Sequence, residues 1–522
     1  MKRFSRLARA IDGFVPPSPE DDPSPEDDPS TLDRPPRGAW GRALRPLWGA
    51  PLVVVYLLPT LSLLCLGGAP VPVVIASLFL VAVASGLSAS RRVPGRRVRI
   101  GLLTIALLGT VGWMLASLIP LPIGLLDLLA PVTARVARSG YEAAGRPLPP
   151  VAWSLRPGDT AIAIGRTSAV LAACLLLPQV VHRSGSRHLH RALLLAAGAL
   201  LAVVSWHLAT GSELIYGVFE PRGRSASLLL GPFVNSSDLA VLACALTPLA
   251  IVEAVRLPGR PRTANSALAF LLAITAILSI SRAATLGLAV GVGAVWVALV
   301  LLRRLRAAAA LAGIGLGGAL IAMTLALQLS PRAHHLVQPD MLLRLDGRAV
   351  IWDTAARITE SQWITGVGAR AFGSAWWSAR DQLTDVHPED AESTPLQYLA
   401  TLGLPATLVL LLIAAVLMVH VARSAAASAR RGDLVPLGAA SGLLALVAMA
   451  QVTFTTSQPA VSIVAVYLLT LTGGEPSRRF APHRLHWLLV FLVVGAGVLS
   501  SRWGASRTEA ATDAWFADRL IE

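Results

Sequence analysis

Lysine is nearly absent: Lys2 is the only one among 522 residues. Cationic work therefore falls to arginine, the better residue for bidentate phosphate contacts, although genome composition is the simpler source of that bias. Charged residues of any kind are also scarce, at 14% against about 25% in soluble domains. With 54% hydrophobic residues and a mean hydropathy of +0.63, the composition excludes a soluble globular protein and predicts an integral membrane protein. The net charge of +15 does not point to nucleic acid. Most arginines recur in short clusters between apolar runs, which is the positive-inside pattern of membrane proteins. Cysteine is limited to Cys65, Cys174 and Cys244, each inside an apolar span without a polar partner. They build no disulfide or metal framework and read as small packing residues. A cleavable signal peptide is not expected, because the first apolar run begins too far in, behind an acidic segment.

That acidic segment, Pro19-Glu-Asp-Asp-Pro-Ser-Pro-Glu-Asp-Asp28, is a short tandem repeat without core-forming residues. It predicts a disordered cytoplasmic N-terminus over 1–45. From 46 to 502 the pattern predicts an all-α polytopic domain of about 12–13 transmembrane helices, each near the ~20 residues that cross a bilayer. The spans fall at roughly 49–67, 70–89, 100–119, 161–181, 192–209, 237–255, 264–281, 283–302, 307–327, 398–419, 435–455, 457–473 and 486–502. A tail, 503–522, follows. Every second loop is rich in arginine, from Arg91-Arg92 to Arg478–Arg484, which places those loops and the N-terminus in the cytoplasm. The alternation puts 120–160, 210–236, the Ser281-Arg282 turn and the long loop 328–397 outside.

The loop 328–397, expected to carry short helices, is the longest polar interruption of the chain. Loops of that size between spans are usually functional. Arginines outside run against the charge rule, which singles out Arg222, Arg224, Arg282, Arg344 and Arg348, with Arg370 and Arg380 further along. Arg282 is either a snorkelling residue at a helix end or a fixed guanidinium for an anion. Asn235 begins Asn-Ser-Ser-Asp238 at a span entrance, where all four suit a helix N-cap. Asp238 is either that cap or a cavity-facing carboxylate. Arg348 and Trp352 are four apart and share a helix face. Glu389 and Asp390 read as solvated surface. Glu392, nearest the next span, is either surface or a catalytic or ligand carboxylate, and His387 is the only histidine close by. No metal-ligand spacing, nucleotide-binding glycine loop or Ser-His-Asp arrangement is present.

Taken in order, these segments resemble the bacterial O-antigen ligase and polymerase family of polytopic membrane glycosyltransferases. Gly231-Pro-Phe-Val-Asn235 is similar to its Gly-x-Phe-x-Asn stretch. Gly347-Arg348, Ile351-Trp352 and Gly366-Val-Gly368 with Phe372 look like its large-loop pattern, with Trp363 where a proline would stand. Leu396-Gln-Tyr-Leu-Ala-Thr-Leu-Gly-Leu404 resembles the segment after its loop histidine, and Ser281-Arg282 its Ser-Arg motif. The resemblance covers roughly 210–420. It implies transfer of a glycan from an undecaprenyl-diphosphate carrier to a lipid, protein or glycan acceptor, on the outer face of the bacterial cytoplasmic (inner) membrane. It also implies that Arg282, with Arg224 or Arg348, holds the diphosphate, that Asn235, Asp238 and Trp352 contact substrate, and that no metal or other cofactor is needed if the arginines neutralise the leaving group.

The chain departs from the pattern at two places. Glu392 stands where the family has histidine, and Ser236-Ser237-Asp238 replaces Arg-Asn-His. A carboxylate can act as base in glycosyl chemistry, so Glu392 is the expected base, with His387 as the fallback. A polymerase of the same family, a transporter of an anionic solute and an inactive glycan-binding relative are the other readings. A transporter would more typically show internal repeats, and neither half of this chain repeats the other clearly.

Overall fold

The computed structural model describes residues 50–89, 97–219, 229–279, 281–304, 345–380, 388–454, 458–473 and 477–521. The N-terminal segment 1–45, the span expected at 307–327 and the residues Arg224 and His387 lie outside them.

The described chain is helical almost throughout. Helices α1 (Ala50–Leu64), α2 (Val71–Ala89) and α3 (Leu102–Ala116) are followed by two short ones, α4 (Ile123–Leu129) and α5 (Pro131–Ala143). Then come α6 (Pro157–Ser184), α7 (Arg187–Thr210), α8 (Ser236–Arg256), α9 (Arg260–Leu278) and α10 (Arg282–Leu301). The large loop contributes α11 (Leu345–Ser361), α12 (Phe372–Ala379) and α13 (Thr394–Leu402). The chain closes with α14 (Leu404–Arg430), α15 (Val435–Ala450), α16 (Pro459–Leu471) and α17 (His483–Ile521). Among the described residues, seven helices are long and apolar enough to cross a membrane, and five more are shorter apolar helices. They occupy twelve of the thirteen expected spans. The protein is a multi-pass, all-α membrane protein.

Sequence sets the helix ends. Pro157 occupies the first turn of α6 with Asp159 beside it, where a missing N–H is harmless and a negative charge meets the positive end of the helix dipole. The Asn235 side chain accepts the Ser237 N–H at 2.9 Å and so caps α8; Asp238 is therefore not the cap. Ser281 caps α10. The expected span 398–419 is two helices, not one: Gly403 takes φ +83 between α13 and α14, and Pro405 starts the second.

Burial sorts the bundle. Helix α8 is 89% buried over its apolar window and α6 83%, whereas α14 is only 17%. The first two form the centre and the third faces outward. On the outer helices large apolar side chains such as Leu301, Leu412 and Phe79 are exposed, which water would penalise and lipid does not. Helices α6 and α17 meet along glycines seven apart, Gly158 and Gly165 on one, Gly497 and Gly504 on the other. A Cβ on Gly165 would lie 1.8 Å from Ser501 Oγ, and one on Gly504 2.5 Å from the Gly158 carbonyl. Such small-residue seams let membrane helices approach closely.

Two small ribbons tie the ends of the bundle. Strand β1 (Arg97–Gly101) pairs antiparallel with β4 (Ser477–Pro482), joining two Arg-rich loops that the charge pattern puts on one side. Strand β2 (Pro120–Leu121) pairs with β3 (Val151–Ala152) and closes off the segment bearing α4 and α5. That segment docks onto the large loop: Leu155 N–H donates to the Val367 carbonyl at 3.0 Å, and Thr365 Oγ1 to the Leu129 carbonyl at 2.9 Å. The two longest regions expected outside are thus in contact.

Candidate functional site

Helices α11 to α13 build a small core of their own from Ile351, Ile358, Phe372, Trp376 and Ala400, with Leu155 packed against it. The loop is a folded platform, which is what a precisely placed polar group requires. The platform locks to the bundle where 366–368 cross 400–403. Val367 N–H donates to the Ala400 carbonyl at 2.9 Å and Gly368 N–H to the Thr401 carbonyl at 3.0 Å. Gly366 and Gly368 adopt φ +64 and +97, and a Cβ on either would sit 2.4 Å from the Thr401 backbone or 2.3 Å from Ser154 Oγ. Only glycine fits there. Gly366-Val-Gly368 is therefore a crossing, and it delivers the next exposed side chain, Arg370, from a left-handed backbone (φ 63).

Glu392 is the second left-handed non-glycine residue of the platform, at φ 47. Gln397, from the Leu396–Leu404 stretch, is buried and accepts the Ala391 N–H at 2.6 Å. That bond holds the 390–392 turn so that Asp390 and Glu392 flank a buried Ala391. Strained backbone of this kind persists only where surroundings impose it, and it concentrates at functional sites. Glu392 Oε2 accepts the Arg348 Nε–H at 2.8 Å. Arg348 and Trp352 follow one another on the same face of α11, and the Trp352 indole N–H is buried without a partner among the described residues.

Asp390 is half-buried and lies among charges from three other elements. Burial pushes its carboxyl up to about 6; Arg370 and Arg166 oppose that rise, while Glu389 and Glu392 add to it. Arg166 comes from α6, where its Nη2 donates to the Ala69 carbonyl at 2.7 Å and its Nε is buried without a partner among the described residues. The charges of Arg370, Asp390 and Asp159 all act on it. Asp238, buried in the first turn of α8, is hydrogen-bonded by the Gln458 side chain and lies within reach of the Asp390 charge. The Gly-Pro-Phe approach to α8 is explained by packing: a Cβ on Gly231 would meet Leu239 at 2.8 Å, and the Phe233 ring lies against Gly67.

Of the residues singled out from sequence, Arg348 and Glu392 are bonded to one another. Trp352 flanks them, and Asp238 joins through Asp390. Asn235 is an exposed cap. Arg282 opens α10, but its side chain, like Arg224 and His387, lies outside the described residues. Sequence reasoning passed over Arg166, and noted Arg370 only as one of the outside arginines further along the loop. Arg166 carried a signal of its own, a charge several residues inside an apolar span, which by default marks function. Asp390, read as solvated surface, is instead half-buried, and its charge acts on Arg166 of α6 and Asp238 of α8. Chemically, the arrangement offers carboxylates able to take a proton beside guanidinium groups able to hold an anion.

Residues 267–411 match the family model described as O-Antigen ligase. The matched stretch contains Arg282, Arg348, Trp352, Arg370, Asp390 and Glu392; Arg166, Asn235 and Asp238 lie before it. No curated protein matches the chain. Over residues 267–411 the chain is therefore similar to the O-antigen ligase family.

Proposed function

We propose that the protein transfers a glycan from an undecaprenyl-diphosphate carrier to an acceptor hydroxyl, acting in cell-surface polysaccharide biosynthesis. The observation that carries this reading is the Arg348–Glu392 contact at 2.8 Å, set beside Asp390, Arg370 and Arg166 where the large loop meets the spans. In the reaction the acceptor oxygen bonds to the anomeric carbon as the bond from that carbon to the diphosphate oxygen breaks. The acceptor proton passes to Glu392, in the position of the family histidine, with His387 as the alternative. The departing diphosphate carries the electron pair, and preorganised positive charge stabilises it. Arg282 with Arg348 or Arg224 fills that role, and these guanidinium groups make a metal unnecessary. Asn235, Asp238 and Trp352 contact substrate. The arginine alternation supports a bacterial cytoplasmic membrane location with the N-terminus in the cytoplasm and the large loop outside.

Glu392→Gln, assayed in membrane vesicles with extracted carrier-linked glycan, tests the assignment. Loss of transfer by about 10²-fold or more, at normal abundance, is the expectation for a general base. Unchanged transfer would remove Glu392 from that role.

A further inference from the structure

An open groove of about 1190 Å³ runs between α5, the segment 150–159 and the outer end of α17. It exceeds the ~300–1,000 Å³ typical of small-molecule pockets, so its shape suits an extended chain better than a compact solute. Its lining combines two kinds of group. Tyr141 and Trp503 offer aromatic faces, and the Arg507 guanidinium lies 5.4 Å from the Trp503 ring centre. Arg156 and Asp159, paired at 3.1 Å, offer donors and acceptors. A lipid tail would leave those charges without solvation. A carbohydrate uses both: its C–H faces stack on aromatic rings and its hydroxyls bond to guanidinium and carboxylate.

The groove also leads to the charged cluster. Its floor, 154–159, is the segment whose Leu155 N–H reaches the Val367 carbonyl. Next to it, Thr160 Oγ1 donates to the Ala369 carbonyl at 2.8 Å, one residue before Arg370. Asp159 itself acts on Arg166. Gly158 keeps the floor low, because even a Cβ there would lie 3.3 Å from the Arg507 Cβ. A chain whose reacting end sits at the cluster has this groove as its continuation. We propose that the groove holds the glycan of the carrier-linked donor during transfer, with Trp503 and Tyr141 as stacking platforms. The inference rests on the glycan-transfer reading above.

The test compares wild type, Trp503→Ala, Trp503→Phe and Tyr141→Ala in proteoliposomes, using carrier-linked donors that bear one repeat unit or many. A stacking platform predicts that Trp503→Ala and Tyr141→Ala raise KM for the long donor roughly tenfold, leave the single-repeat donor unchanged, and that Trp503→Phe restores most of the difference. An unchanged KM for the long donor, or equal losses on both donors, overturns the proposal. A second readout needs no activity: binding of the free oligosaccharide, released from the carrier by mild acid, followed by saturation-transfer NMR. Binding to wild type that weakens in Trp503→Ala supports the groove even if no donor is turned over, a result that would sink only the transfer reading. No binding to wild type overturns the groove.

Discussion

Arg348 donates to Glu392 across 44 residues of chain, joining the residue assigned to the leaving group with the residue assigned to the proton. The pair is half-open to solvent, with side-chain exposures of 32% and 47%, so it contributes on the order of 0–1 kcal/mol to stability. A diphosphate carries enough charge to draw the guanidinium away and free the carboxylate. The charge exchange Arg348→Glu with Glu392→Arg should therefore keep thermal stability within about 1 kcal/mol of wild type, yet abolish transfer. A thermal-shift assay paired with the vesicle assay reads both; an active exchanged variant would show that the pair is only structural.

The glycine crossing makes a sharper structural prediction. At φ +97, with a Cβ 2.3 Å from Ser154 Oγ, Gly368→Ala should lose about 2 kcal/mol or more. Gly109→Ala, with nothing within 4 Å, should be neutral. Adding Ser154→Gly should recover only part of the Gly368→Ala loss, because the Ser154 Cα, 2.9 Å from such a Cβ, stays in place. Folded yield by size-exclusion chromatography in detergent measures all three, and a neutral Gly368→Ala would contradict the crossing.

The seam between α6 and α17 is testable in the same way. A leucine at Gly165 cannot be housed where a Cβ would already meet Ser501 Oγ at 1.8 Å, so Gly165→Leu should separate the two helices and remove most folded protein from the membrane fraction. Folded yield equal to wild type would mean that the two helices need not touch there.

Asp390 predicts a pH dependence. Its carboxyl is raised to about 6 from the usual 3.8, so the neutral form is favoured in the folded protein. This contribution to stability is fully present below pH 4 and is lost as the pH rises through about 6. Asp390→Asn should remove that slope and raise the melting temperature at pH 7.5 by up to about 2 °C. Melting curves at pH 4.5, 6 and 7.5 check it; an unchanged slope would remove Asp390 as its source.

The expected spans were readable because hydropathy is a local property: twelve runs appear as helices where their composition put them. The break at Gly403 was also written locally, as Gly-Leu-Pro ahead of an apolar run, but a sliding average hides it. The site was less legible, for a physical reason. Glu392, Arg348 and Asp238 stood out by type and position, whereas their meeting depends on a turn held by Gln397 and on Asp390, whose charge acts on groups of α6 and α8. One arginine in an otherwise apolar run barely moves the hydropathy, so Arg166 was absorbed into its span. Arg370 is placed by a glycine crossing that, in sequence, is only two glycines around a valine. The two strand ribbons are set by loop-to-loop contact and left no pattern of their own.

Deleting the gene tests whether the protein transfers glycan from a carrier. The surface glycan is resolved as a gel ladder while the carrier-linked pool is extracted separately. Long chains should leave their acceptor and accumulate on the carrier; single repeat units in place of the ladder would make the protein a polymerase instead. An unchanged ladder with an unchanged carrier pool would contradict glycan transfer by this protein.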